Sequence, residues 1–162
     1  MSKLMIGLLV LATTFPLRAT TLIPADVSEL SHDAIVIARG RITAVDAQWT
    51  SDRRTIETIV TLDVERYLKG DLGSRVQFRV PGGRLGRFRS VVVGGPVFAA
   101  DDRVVVFLGA NGPSVPHLVG FSQGVYRVMQ VSGRAMVRSE IAHAPVPLDD
   151  FESRVRSLAG RR

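Results

Sequence analysis

Residues Gly120-Phe121-Ser122-Gln123-Gly124 form a G-x-S-x-G pattern. Such a pattern can hold a nucleophilic serine on a sharp turn between a strand and a helix. Acyl transfer from that serine needs an acid and then a histidine further along the chain. Downstream of Ser122 the only histidine is His143, and Glu140 is the only acid between them, three residues before it. Asp149 and Asp150 follow His143, which reverses the required order. The residues after Ser122 alternate like a strand, with Val125 and Arg127 interleaved with Tyr126 and Val128, where the elbow requires a helix. The pattern therefore reads as a glycine-flanked turn or bulge, with a Ser122–His143 hydrolase as the rival.

A second segment, PGGRLGRFRS at 81–90, gathers Arg84, Arg87 and Arg89 among Gly82, Gly83 and Gly86, with Phe88 between two arginines. It lacks the Gly-Lys-Ser/Thr ending of a phosphate-binding loop. Its Gly83-Arg84-Leu85-Gly86 quartet resembles a nucleotide-clamping G-x-x-G loop, which joins helices, whereas the flanking pattern here is strand. With Arg75 and Arg79 these residues make a basic surface for an anionic partner, and a single strand of nucleic acid is one such partner. The plainer expectation is a solvated arginine-rich hairpin whose Phe78 and Phe88 face the core. His32, His117 and His143 show no metal-ligand spacing, and Asp101-Asp102 reads as a turn before a strand. Trp49 and Tyr67 read as core or rim residues. No catalytic residue, metal or cofactor is expected.

The elements that position these residues follow from hydrophobic periodicity. Asp26 or Ser28 caps a short helix over Val27 to Asp33, with Val27, Leu30 and Ala34 at helical spacing. A β-branched stretch runs from Ile35 to Trp49, and Gly40 inside it marks a bulge or sharp bend. After a polar turn at Thr50 to Arg54, the next strand places Ile56, Thr58, Val60, Leu62 and Val64 on one face, with Glu57, Ile59, Thr61, Asp63 and Glu65 on the other. Leu68-Lys69-Gly70-Asp71 turns the chain. Val76, Phe78 and Val80 alternate with Arg75, Gln77 and Arg79, and this strand stops at Pro81-Gly82-Gly83. Further strands are predicted over Ser90 to Val93, before the turn Gly94-Gly95-Pro96, and over Arg103 to Leu108, a fully buried run that ends in a turn at Gly109 to Pro113. Leu118 to Phe121, Val125 to Val131 and Ala135 to Arg138 complete the strands. Leu148, Phe151, Val155 and Leu158 then repeat at spacings of three and four, giving an amphipathic helix at about 147–160 with acid in its first turn and arginine later. This pattern predicts one mainly β domain: an antiparallel, OB-like barrel or a sandwich, with a helix at each end.

The chain opens MSKLMIGLLVLATTFPLRATT. Lys3, the apolar run Leu4 to Ala12 and the break at Pro16 have the layout of a signal peptide cleaved after Ala19. The run is shorter than the ~20 residues needed to span a bilayer, so no stable membrane span is expected after cleavage. The expected organisation is a signal at 1–19 and a domain at 20–162, exported to the periplasm or beyond. The full chain carries a net charge of +6 and no cysteine. Losing Lys3 and Arg18 leaves a mild positive excess, and the absence of thiols excludes disulfides and thiolate chemistry.

Arg39-Gly40-Arg41-Ile42, Trp49, the long strand from Ile56 to Val64, Leu68-Lys69-Gly70 and Val80-Pro81-Gly82-Gly83 together resemble a family of exported bacterial proteins. The later VVVFLGA and GFSQGVYRV fit the same pattern. The resemblance covers most of the mature chain and implies an OB-like barrel and export, but no activity. The order of strand, long strand, Lys-Gly turn and strand is also similar to tissue inhibitors of metalloproteinases and netrin-like modules. That similarity implies protease inhibition, yet those inhibitors bind the protease zinc through an N-terminal cysteine, and this chain would start at Thr20. The function expected is a non-enzymatic binding module whose partner is another exported or envelope protein, with no nucleic acid.

Overall fold

The computed structural model describes residues 26–110, 114–140 and 144–160. The expected signal segment and lead-in at 1–25, the end of the predicted turn at 111–113, His143, Arg161 and Arg162 lie outside them. Helix α1 (Val27–Asp33) is capped by the Asp26 carboxylate, which accepts from Ser28 N. It leads into the long strands β1 (Val36–Trp49) and β2 (Ile56–Lys69), then β3 (Arg75–Pro81). A small hairpin follows, β4 (Gly83–Leu85) and β5 (Phe88–Ser90). The chain returns as β6 (Arg103–Gly109) and β7 (His117–Leu118), makes one 3-10 turn at Phe121–Gly124, and runs on as β8 (Val125–Val131) and β9 (Arg134–Ser139). The two-residue β10 (Val146–Pro147) precedes helix α2 (Leu148–Ala159).

The fold is mainly β with two helices, as the periodicity predicts, and the sheet closes. Its order β1-β2-β3-β7-β6 returns to β1, because β6 pairs antiparallel with residues 36–41 of β1. The result is a five-stranded OB-like barrel. One junction differs from the antiparallel expectation: β3 and β7 pair in parallel through Arg79 and His117. This pairing follows because 82–102 carries the chain back across the barrel before β6 begins. Strands β8, β9 and β10 continue the sheet beyond the barrel. Closure also needs β1 to bend. Its register against β2 shifts beside Gly40, where a Cβ atom would lie 2.1 Å from the Asp63 carbonyl oxygen.

Two further expectations are corrected. Ser90 to Val93 is not a strand; β5 ends at Ser90, and Val91 to Val93 run as a loop. In the predicted span Leu118 to Phe121 only Leu118 is strand, the second residue of β7, and Phe121 already begins the 3-10 turn. Val91 to Val93 join no ladder, whereas Val119 still donates its N–H to the Phe107 carbonyl of β6 before left-handed Gly120 turns the chain away.

Burial follows the predicted alternation. Val60 and Leu62 of β2, and Val76, Phe78 and Val80 of β3, fill the barrel with Val36, Ala38 and Ile42 of β1. Strand β6 is buried on both faces. Val104, Val106 and Leu108 point into the barrel, while Val105 and Phe107 join Leu30, Leu148, Phe151 and Val155 in a second core beneath the two helices. Tyr126 completes that second core, its ring 4.5 Å from Phe151 and 5.7 Å from Phe107.

One acid of α2 lies inside this packing. The Glu152 side chain is 1% exposed and receives Arg39 of β1 at 2.5 Å, Arg156 at 3.1 Å and Arg66 of β2 at 3.4 Å. Arg39 is itself largely buried and also lies 3.4 Å from Glu65. A carboxylate taken out of water needs this surrounding charge, and each buried cation needs it in return. Glu152→Leu is therefore expected to lower stability by about 3 kcal/mol by leaving Arg39 without its main counter-charge. The paired change Glu152→Leu with Arg39→Met should recover much of that loss, as read by denaturant unfolding.

Burial, and more weakly the Asp26 carboxylate, push the Tyr126 hydroxyl above its usual value of ~10. The unfolded chain thus releases this proton at lower pH than the folded one. The stabilisation is whole below pH ~10 and is lost as pH rises through the folded value. Tyr126→Phe should lose less melting temperature than the wild type between pH ~9 and ~11.

Candidate functional site at the barrel mouth

The insertion between β3 and β6 shapes one end of the barrel. Here β1 and β2 run past the closed ring, pairing Trp49 with Ile56, and the β4–β5 hairpin lies against them. Leu85 and Phe88 pair across the hairpin around the two-residue loop Gly86-Arg87. Because successive strand side chains alternate in direction, Leu85 and Phe88 share one face of the hairpin and Arg84 and Arg89 share the other. Phe88 meets Trp49 edge to face, with ring centroids 5.3 Å apart, and the Arg87 guanidinium sits 5.1 Å from the Phe88 ring centre. Phe88 remains 47% exposed, which corrects the expectation that it faces the core; Phe78 does face it, fully buried.

Behind the hairpin lies a pocket of about 390 Å³, a volume in the range of small-ligand sites. Its floor is Val45, Ala47, Val80 and Phe98, and the loop 91–97 forms the opposite wall. Arg84 and Arg89 stand at its edge. Thr58 lines it too, its hydroxyl donating to the Gly82 carbonyl at 2.7 Å. Around the opening, Val91, Val92, Val93 and Val97 are exposed, Val93 to 95%, alongside Trp49 and Phe88. Contiguous apolar exposure of this kind marks a place where something docks.

The predicted basic surface divides. Arg75 faces outward on β3 and pairs with Asp63 at 2.9 Å, and Arg79 donates to the Ser114 hydroxyl at 2.8 Å. Arg79 also lines a hollow beside Ser90 and Val92, and neither arginine lies on the hairpin. Arg84, Arg87 and Arg89 do, and among the described residues none of them has an acidic partner. Most of the arginines elsewhere do have one: Arg39, Arg41, Arg66, Arg103, Arg127, Arg154 and Arg156 all sit against carboxylates. Arg84 and Arg89 are direct cross-strand partners, and like charges so placed repel. The valine wall is the part that sequence reasoning missed. Its signal was a run of three valines without alternation, followed by Gly94-Gly95-Pro96.

The G-x-S-x-G segment lies elsewhere, at the 3-10 turn between β7 and β8. Gly120 is left-handed, with φ +64, where a Cβ would lie 2.5 Å from a Leu30 methyl. A Cβ on Gly124 would lie 2.0 Å from the Val119 carbonyl oxygen. Both glycines are thus accounted for by backbone geometry and close packing. Ser122 is buried and is followed by strand. Glu140 is paired with Arg127, and His143 lies outside the described residues.

His32 lies in the last turn of α1, and its carbonyl accepts from Lys69 at 3.2 Å; His117 is half-buried on β7. Asp101 pairs with Arg41, and Asp102 accepts from Arg127 and from Ala99 N while its own N–H donates to the Ala99 carbonyl, which closes the turn reciprocally. Among the described residues no three His, Asp or Glu side chains converge to hold a metal. Tyr67 closes the β2–β3 turn, accepting from Leu72 N and donating to the Gly73 carbonyl.

These placements separate fold from chemistry at Ser122. Ser122→Ala should change stability by less than about 1 kcal/mol, whereas Gly124→Ala should cost more than about 3 kcal/mol, as measured by urea unfolding. Compared with models of known protein families and with curated proteins, the chain matches none.

Proposed function

We propose that this chain is an exported, non-enzymatic binding module and that its binding surface is the barrel mouth formed by the β4–β5 hairpin and the 91–97 loop. The observation that carries the reading is the coincidence, on one insertion, of exposed valines, an aromatic pair, an apolar pocket and three arginines without acidic partners. A barrel does not need these residues to close, and their exposure gains it nothing in water. The arginines favour a partner that presents negative charge beside apolar surface. The layout of residues 1–19 supports export, and the close-packed glycines around Ser122 support a structural role for that motif.

Site-directed photo-crosslinking tests this reading. A photoreactive residue at Phe88 should yield a discrete adduct in the envelope of the producing cell. The same residue at Leu72, exposed in the turn at the opposite end of the β2–β3 pair, should yield none. Equal adducts at both positions, or none at Phe88, would overturn it.

A further inference from the structure

Resting on the reading of the mouth as the binding surface, we infer that its occupant is the face of an anionic lipid bilayer. Among the described residues the large apolar side chains most exposed to solvent are aliphatic and sit on a loop: Val91, Val93 and Val97, with Val93 almost wholly in solvent. Valine is under-represented among the side chains that anchor protein partners, so the most exposed part of this surface is not of the kind that seats in a protein pocket. Valines at a loop tip need only an apolar fluid to enter. Trp49 and Phe88 stand beside them, and aromatic rings of this kind settle at the level of lipid headgroups.

The charge agrees. Arg84 and Arg89 line the pocket with Val91 and Val97, Arg87 lies over the Phe88 ring, and the repulsion between Arg84 and Arg89 is relieved when lipid phosphates lie between them. Arginine stems can lie along the apolar surface while their guanidiniums reach the phosphate plane. Each arginine near an anionic leaflet strengthens partitioning by roughly fivefold. Among the described residues no helix is long and apolar enough to cross a membrane.

Co-sedimentation of the mature protein with vesicles tests the inference, using phosphatidylcholine alone and phosphatidylcholine mixed with phosphatidylglycerol. Binding to the mixed vesicles should exceed binding to the neutral ones by tenfold or more and weaken as salt is raised. The double variant Arg84→Gln, Arg89→Gln should lose roughly 25-fold. Val93→Asp should lose at least tenfold, while Leu72→Asp, at the far end of the barrel, should bind as the wild type does. These positions are exposed, and an unchanged thermal melt shows that each variant folds. Equal binding to both vesicle types, full binding by the mouth variants, or displacement by free glycerol phosphate alone would overturn the assignment. If vesicles fail to bind while a crosslinker at Phe88 still captures a polypeptide, the lipid assignment falls and the binding-module reading stands.

Discussion

Strand β6 is apolar on both faces, and the rest of the molecule is arranged to keep both faces dry. Burying a valine or phenylalanine side chain is worth about 1.5–3 kcal/mol, and β6 commits Val104 to Leu108 without an exposed position. One face requires a barrel interior, which β1, β2, β3 and β7 supply. The other requires a lid, which α1 and α2 supply with Leu30, Phe151 and Val155. Glu152 then fixes α2 to β1 and β2 through Arg39 and Arg66, so the lid is registered as well as buried. An apolar lid alone could slide; a buried carboxylate held by two strands cannot do so without leaving charge unpaired.

This arrangement uses up one side of the barrel and leaves the mouth to vary. The helices cover the outer face of β1, β6 and β8, while the 82–102 insertion hangs over the end where β1 and β2 outrun the ring. It is anchored at its two ends, by Gly82 bonding to Ile56 and Thr58 and by Asp101 and Asp102 bonding to Ile42, and between them by Trp49 against Phe88, Arg127 reaching the Val97 carbonyl, and Phe98 in the barrel core. Apolar side chains can be presented there because the fold's stability does not depend on them. The proposed docking surface and the stable core are therefore separate parts of one chain.

Much of the fold was legible in the sequence because it depends on local period. The two faces of β2, the alternation in β3, the buried run of β6 and the stripe of α2 all follow from side-chain direction within one element. What local pattern does not contain is the identity of distant partners. Glu152 lies just past the first turn of an amphipathic helix and reads as an ordinary polar residue, since two of the three arginines around it, Arg39 and Arg66, come from strands 113 and 86 positions earlier. The parallel β3–β7 contact was hidden for the same reason. Val91 to Val93 have strand-forming residue types but find no edge to pair with, so propensity gave the wrong element there. At the mouth, the arginines of 84–89 were visible as a cluster, but only the register separated them from Arg75 and Arg79. Phe88 looked like a core residue until the hairpin faces were assigned. The glycines of the G-x-S-x-G motif read as a turn, and close backbone approach accounts for them.

The central claim is that a core sealed around β6 supports a mouth that contributes little to stability. Native-state hydrogen exchange measures this directly, residue by residue. The account predicts that amides of 103–109 and 36–42 exchange only through global unfolding, while those of 84–98 open at far lower free energy. If the 84–98 amides proved as protected as β6, the mouth would be part of the cooperative core, and its separation from the fold's stability would be contradicted.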